Sequence, residues 1–205
     1  MIKTIISDLG KVILPFDNGI FFRRMTAYCP HSEEKISEIA DANQDWVLLF
    51  DGGRIGPEEF YALVTKNLDA RIDQETFFAI YNDVFSLNSE VLAVLRKAKN
   101  AGCRMILLSN TDPRRYPFIA GKYPEILIFD DYVLSYEVKM IKPDPGIYRA
   151  ALKRADAPAR ECVFIDDIEE NVKAAEKLGM QTVHFTPETD LENELEKRGL
   201  VLRGR

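Results

Sequence analysis

Four short stretches of this chain carry side chains that could do chemistry together. They are Asp8 in TIISDLGK, Ser109 and Asn110 in SNTD, Lys142 in KMIKPDP, and Asp166 with Asp167 in FIDDIEEN. Carboxylates supply a nucleophilic oxygen or hard ligands for a cation such as Mg²⁺, hydroxyl and amide groups donate to an oxyanion, and a lysine supplies fixed positive charge. Asp8 is the most telling of these. It ends a run (Thr4, Ile5, Ile6, Ser7) that reads as a strand buried on both faces, central in a parallel sheet. An acid at the carboxyl end of such a strand faces the crevice where these sheets bind ligands. Taken singly, each group has an ordinary structural role. Asp8 suits a turn, Asp166 and Asp167 suit the cap of a helix starting near Glu169, Ser109-Asn110 suits a turn, and Lys142 suits solvent. Their shared placement at predicted strand ends argues for one site.

The elements that must position them follow from periodicity. Residues 3–7, 103–110, 131–135, 161–167 and 180–185 read as strands, and residues 88–102, 144–155, 169–179 and 190–199 as helices between or after them. Gly102 and Gly179 close two of these helices, and Pro145 opens another. This alternation predicts an α/β fold with a doubly wound parallel sheet, Rossmann-like. Residues 18–29, 32–43, 57–68 and 73–85 break the rhythm: all read as helical, with aromatic or aliphatic stripes and no strand between them. The expectation is a catalytic core of residues 1–16 and 87–205 with an all-helical cap, 17–86, hinged near 15–18 and 85–89.

The bulk properties narrow the partners. A net charge of −6 without a basic stripe argues against nucleic acid. Cys29, Cys103 and Cys162 are widely spaced and odd in number, which suits a reducing cytoplasm and excludes a disulfide framework or zinc site. No apolar run approaches the roughly 18 residues of a membrane span, and the amino terminus lacks the order of a signal peptide. The charge leaves room for a small anionic substrate, no membrane partner is expected, and the oligomeric state is not legible.

The order acid, Ser-Asn, Lys-Pro, Asp-Asp over residues 8–167 resembles the haloacid dehalogenase superfamily with a helical cap inserted after the first motif. The Asp-Leu-Gly form of that motif is similar to small sugar-phosphate phosphatases of the glucose-1-phosphate type. The resemblance implies a Mg²⁺-dependent phosphatase acting on a small phosphomonoester, a sugar phosphate among the candidates. Asp8 would be nucleophile, forming an aspartyl-phosphate, and also a metal ligand with Asp166, Asp167 and the Gly10 carbonyl. Ser109 and Asn110 would donate to the phosphoryl oxygens, and Lys142 would provide the catalytic positive charge and bind phosphate. Lys139 competes for that last role; the Pro-Asp-Pro that follows Lys142 and the family's Lys-Pro favour Lys142.

Gly10 departs from the family pattern, which usually has a second Asp two residues after the nucleophile as general acid and base. Asp17 is the nearest acid that could replace it. Two other functions compete: a metal-independent haloacid dehalogenase, and a weakly catalytic phosphate sensor or interaction protein. The Asp166-Asp167 pair argues against the first, because extra carboxylates repel a haloacid. His31 and His184 fall on no motif, and the residues 18–86 offer several aromatics and the cations Arg23, Arg24 and Arg54 without a way to choose among them.

Overall fold

The computed structural model describes residues 1–201. Its elements run β1 (Thr4–Ser7), α1 (Asn18–Met25), α2 (Glu33–Ala42), α3 (Gln44–Asp51), α4 (Pro57–Asn67), α5 (Gln74–Asn82), α6 (Ser89–Asn100), β2 (Arg104–Ser109), α7 (Arg115–Lys122), β3 (Asp131–Leu134), α8 (Ser135–Val138), α9 (Pro145–Arg154), β4 (Cys162–Asp166), α10 (Glu169–Glu176), β5 (Gln181–His184) and α11 (Leu191–Lys197). The five strands are parallel in the order β3-β2-β1-β4-β5. The expected doubly wound sheet is present. The chain runs outward from β1 in both directions, so the switch point, where such sheets open a ligand crevice, lies between β1 and β4.

Period-two alternation divides the strands between two cores. On β2, Met105 and Leu107 join one apolar cluster with Leu92 and Leu95 of α6, Ile119 of α7 and Leu195 of α11. Ile106 and Leu108 face the other way, toward Ile147, Tyr148 and Ala151 of α9 and Ala175 of α10. Helices therefore cover both faces, and the strand ends are the exposed route into the sheet.

The helices α1 to α5 bury a third cluster of their own, dominated by Phe21, Phe50, Phe60, Phe77, Phe78 and Tyr81. Capping fixes several of their starts: Asp17, Ser32 and Asp73 accept from backbone N–H groups in the first turns of α1, α2 and α5. The chain enters and leaves this region side by side. Phe16 bridges Phe85 antiparallel, Asp17 N–H donates to Val84 O at 3.0 Å, Ser86 N–H donates to Pro15 O at 2.9 Å, and the two rings meet edge-on at 5.6 Å.

Two helices depart from the sequence expectation. α3 follows α2 after a break at Asn43, whose side chain donates to Ile39 O and does not cap the new helix, so no local signal marks its start. α7 contains Pro117 and Gly121, which read as breakers. Pro117 stands in the first turn, where no intrahelical N–H is needed, and the Asp112 carboxylate accepts from the N–H groups of Arg114 and Arg115 at 2.8 and 2.7 Å. Among the described residues no helix is long and apolar enough to cross a membrane.

Candidate active site

Strand register builds the centre. β1 and β4 pair with Ser7 opposite Ile165, and Asp8 N–H donates to Ile165 O at 2.9 Å, so Asp8 stands beside Asp166. Two buried carboxylates repel, and Lys142 separates them: its Nζ lies 2.8 Å from Asp8 Oδ1 and 2.7 Å from Asp166 Oδ2. Asp166 Oδ1 accepts from Ile168 N–H and from Asn171 Nδ2, both at 2.9 Å. Asp167 completes the group, with one oxygen from each of the three carboxylates lying within 4.8 Å of the others.

Burial sets the electrostatics. It pushes the Asp8 carboxyl up to about 7, with Lys142 opposing and Asp166 adding to the rise. Burial pulls the Lys142 ammonium down, but Asp8 and Asp166 outweigh it and hold the group above its usual range. Asp167, half-buried, is raised by burial and by Asp166 against the pull of Lys11 and Lys142. With all three acids ionised, three negative charges face one positive one. This excess of anionic, hard oxygen donors fits a divalent cation of the Mg²⁺ kind. Gly10 lines the same cavity; its carbonyl accepts from Val12 N–H at 2.7 Å and retains a second lone pair.

The Ser-Asn stretch is placed as expected but used differently. Ser109 is buried at the end of β2, its hydroxyl making only a long 3.4 Å contact to Asn110 O. The Asn110 amide was expected to donate to phosphate, yet both its ends are engaged by the Lys142 backbone. Oδ1 accepts from Lys142 N–H at 2.8 Å, and Nδ2 donates to Lys142 O at 3.1 Å. Asn110 therefore positions the lysine loop and keeps one N–H of Nδ2 for another acceptor. Lys139 is committed elsewhere, donating to Gly53 O at 2.8 Å. Asp17 is exposed, and its carboxylate accepts from Gly19 N–H, so it is a cap and does not line the cavity. His184 reaches the Asp167 carbonyl at 3.0 Å but no carboxylate oxygen of the cluster.

A cavity of about 540 Å³ opens from this centre toward the inserted helices. A second buried ionic group lies along it, which periodicity and motifs did not reveal. Asp51 ends α3, and its carbonyl accepts from Ser135 Oγ, which also receives Thr111 N–H; this ties the end of α3 to the loop after Ser109-Asn110. Burial raises the Asp51 carboxyl to about 7, with Arg115 opposing and Asp112 adding. The Arg115 guanidinium lies over the Tyr81 ring at 4.3 Å and has Nε 3.7 Å from Asp112 Oδ2. Asp51 Oδ1, Asp112 Oδ2, Arg115 Nε and Tyr81 OH are all buried without a hydrogen-bond partner.

A parallel sheet whose switch point holds three acids and a buried lysine is an α/β fold with a site for a cation and a phosphoryl-sized anion. The chain belongs to the haloacid dehalogenase-like hydrolases, whose family profile matches residues 2–179. Among curated relatives it is 26% identical over 199 residues to drimenol cyclase drtB of Aspergillus calidoustus, spanning 95% of this chain but only 36% of that protein. It is 28% identical over 138 residues to the sesquiterpene phosphatase astK of Aspergillus oryzae, covering 67% and 70% of the two chains. It is 25% identical over 202 residues to the D-ribitol-5-phosphate phosphatase of Bacteroides thetaiotaomicron, covering 92% and 93%. The crystal structure of HAD family enzyme bt-2542 from the same bacterium, in complex with magnesium and inorganic phosphate, superposes with a TM-score of 0.81 at 25% identity, covering 95% and 99%.

Proposed function

We propose that the chain is a Mg²⁺-dependent phosphatase that hydrolyses a small phosphomonoester through an aspartyl-phosphate on Asp8. The observation that carries this reading is the cluster of Asp8, Asp166 and Asp167 around Lys142 at the switch point of the sheet. The phosphatase relatives and the magnesium and phosphate complex of the neighbouring structure support it. Residues 17–86 act as the cap over a catalytic core of 1–16 and 87–205. Three free cysteines support a reducing, cytoplasmic setting.

Asp8 attacks phosphorus, the P–O bond to the alcohol breaks and the leaving oxygen takes its proton from solvent water. A water then attacks the aspartyl-phosphate, releasing inorganic phosphate and the free Asp8 carboxylate, so one hard displacement becomes two easier ones. Lys142 offsets part of the charge of Asp8 and Asp166 and offers its remaining N–H to the phosphoryl oxygens, with Ser109 Oγ and the remaining Asn110 N–H as further donors. Asp8, Asp166, Asp167 and the Gly10 carbonyl would hold Mg²⁺. The ion supplies a double positive charge that keeps Asp8 ionised and polarises the phosphoryl oxygen. Residue 10 supplies no proton to the leaving oxygen. A Cβ there would stand 3.5 Å from the Phe16 ring, an ordinary van der Waals contact, so the turn has room for a side chain at this position.

A dehalogenase is the weaker reading, because the cluster would repel the haloacid's own carboxylate. The sugar-phosphate reading of the Asp-Leu-Gly subgroup has the ribitol-phosphate relative in its favour. Phosphate release from p-nitrophenyl phosphate with and without Mg²⁺, beside chloride release from 2-chloropropionate, tests the assignment. Asp8→Asn, nearly isosteric but a poor nucleophile, is expected to lower phosphate release at least about 10⁴-fold with the circular dichroism spectrum unchanged. A variant that keeps most of the wild-type rate removes Asp8 as nucleophile.

A further inference from the structure

The cavity that begins at Asp8, Ser109 and Lys142 does not end at the surface of the core. It continues among the inserted helices, where its walls are Phe21, Ile36, Ile39, Phe60, Val64 and Leu68, drawn from α1, α2, α4 and the residue after α4. Several of these belong to the apolar core of the helical insert itself. A polyol carries a hydroxyl on nearly every carbon, and each one buried against such walls loses its water without gaining a partner. A hydrocarbon meets no such penalty and gains roughly in proportion to the area it hides. The volume also matters. At roughly 30 Å³ per water-sized group, about 18 groups fit in the cavity, far more than a phosphate alone needs.

We propose that the organic part of the substrate is a hydrocarbon chain of about ten carbons or more, seated inside the helical insert with its phosphate on Asp8 and Lys142. This deepens the phosphatase reading above and rests on it. Among the inserted helices and α7 the charged residues of the lining are Asp41, Asp51 and Arg115, with Asn43 and Gln44 among the uncharged polar ones. Arg115 pairs with Asp112, and the apolar lining residues outnumber the polar ones in this part of the cavity. The choice separates two relatives of opposite substrate polarity, and it does so on the lining of this chain's own cavity.

The test is a series of n-butyl, hexyl, octyl and decyl phosphates, kept below their micellar concentrations, in which leaving-group acidity is constant and only chain length varies. D-ribitol 5-phosphate and p-nitrophenyl phosphate run alongside. The expected result is a kcat/KM that climbs about 2- to 4-fold per added methylene, with decyl phosphate well above the ribitol ester. Ala40→Trp, which fills the cavity, and Val47→Asp, which charges its wall, should each cut the decyl-to-butyl ratio at least tenfold; the ratio is internal to each variant, so loss of folded protein does not mimic it. A flat series, or a preference for ribitol 5-phosphate while p-nitrophenyl phosphate is still cleaved, overturns the hydrocarbon substrate and leaves the phosphatase standing. If no ester is cleaved, the phosphatase reading fails, and calorimetry with butyl- and decylphosphonate decides the cavity: binding at least tenfold tighter for decyl supports it, and equal binding refutes it.

Discussion

The molecule buries two ionic clusters along one cavity, and they are built on opposite terms. Around Lys142 both partners of the ammonium are engaged, and Asp166 has each oxygen matched to a donor. Asp8, Asp166 and Asp167 sit at the ends of the adjacent strands β1 and β4, and Lys142 in the loop between α8 and α9. Around Arg115 the polar atoms are left over: Asp51 Oδ1, Asp112 Oδ2 and Arg115 Nε have no hydrogen-bond partner. Here Asp51 comes from the helical insert, whereas Asp112 and Arg115 come from the core side. A satisfied cluster holds charges where a reaction needs them, and a half-satisfied one depends on how the inserted helices pack against the sheet and its helices. The first is preorganised; the second is conditional.

The sharpest way to break this contrast is to remove each cation in turn. Lys142→Ala leaves Asp8 and Asp166 facing each other without the ammonium, and turnover should fall about 10²- to 10³-fold, with inorganic phosphate a much weaker inhibitor. Arg115→Ala should cost less than about tenfold on p-nitrophenyl phosphate, because Asp51 and Asp112 have raised pKa values and can neutralise themselves. Equal losses in the two variants would mean that both clusters serve the chemistry.

Metal should act on one cluster only. At about 100 times its dissociation constant, Mg²⁺ is expected to stabilise the fold by about 2.7 kcal/mol, seen as a raised Tm. Asp167→Ala should abolish that rise and Asp51→Asn should keep it. An ion-independent Tm in the wild type would remove the metal site.

The smallest effect is the dependence on pH. Asp51 is raised from its ordinary value of 3.8 to about 7 in the folded chain, so the fold favours its protonated form. Its contribution is complete below pH 4 and is lost as pH rises through 7. In EDTA, the wild-type Tm should therefore fall between pH 5 and 8. Asp51→Asn, which cannot ionise, should fall less over the same range. Parallel profiles would show that Asp51 does not titrate there.

The two clusters also differ in how far they can be read from residues alone. Asp8 and Asp166 close apolar runs, and a strand end is a local signal; parallel order then brings them together at the switch point. Lys142 is recognisable by its Pro-Asp-Pro loop, although its hold on Asn110 is a tertiary fact. Asp51 and Arg115 lie on α3 and α7, the helices that lacked a start signal or carried apparent breakers. Their meeting depends on how the insert packs on the core, and no spacing in the chain encodes that. Asp17, the acid suggested in place of residue 10, is exposed and outside the cavity lining, with Oδ1 capping α1, a position that its proximity in the chain does not reveal.

The paired crossing at Phe16 and Phe85 has a consequence for how such a molecule can change over time. Because the whole helical excursion leaves and returns through one β-bridge, the core sees it as a closed loop with coincident ends. The entropy of closing such a loop grows only slowly with its length. Helices can then be added, lost or replaced beyond the bridge without shifting the register that sets Asp8 against Asp166. Chemistry and selectivity are thereby inherited separately: the reacting centre can persist while the chamber above it is rebuilt for another molecule.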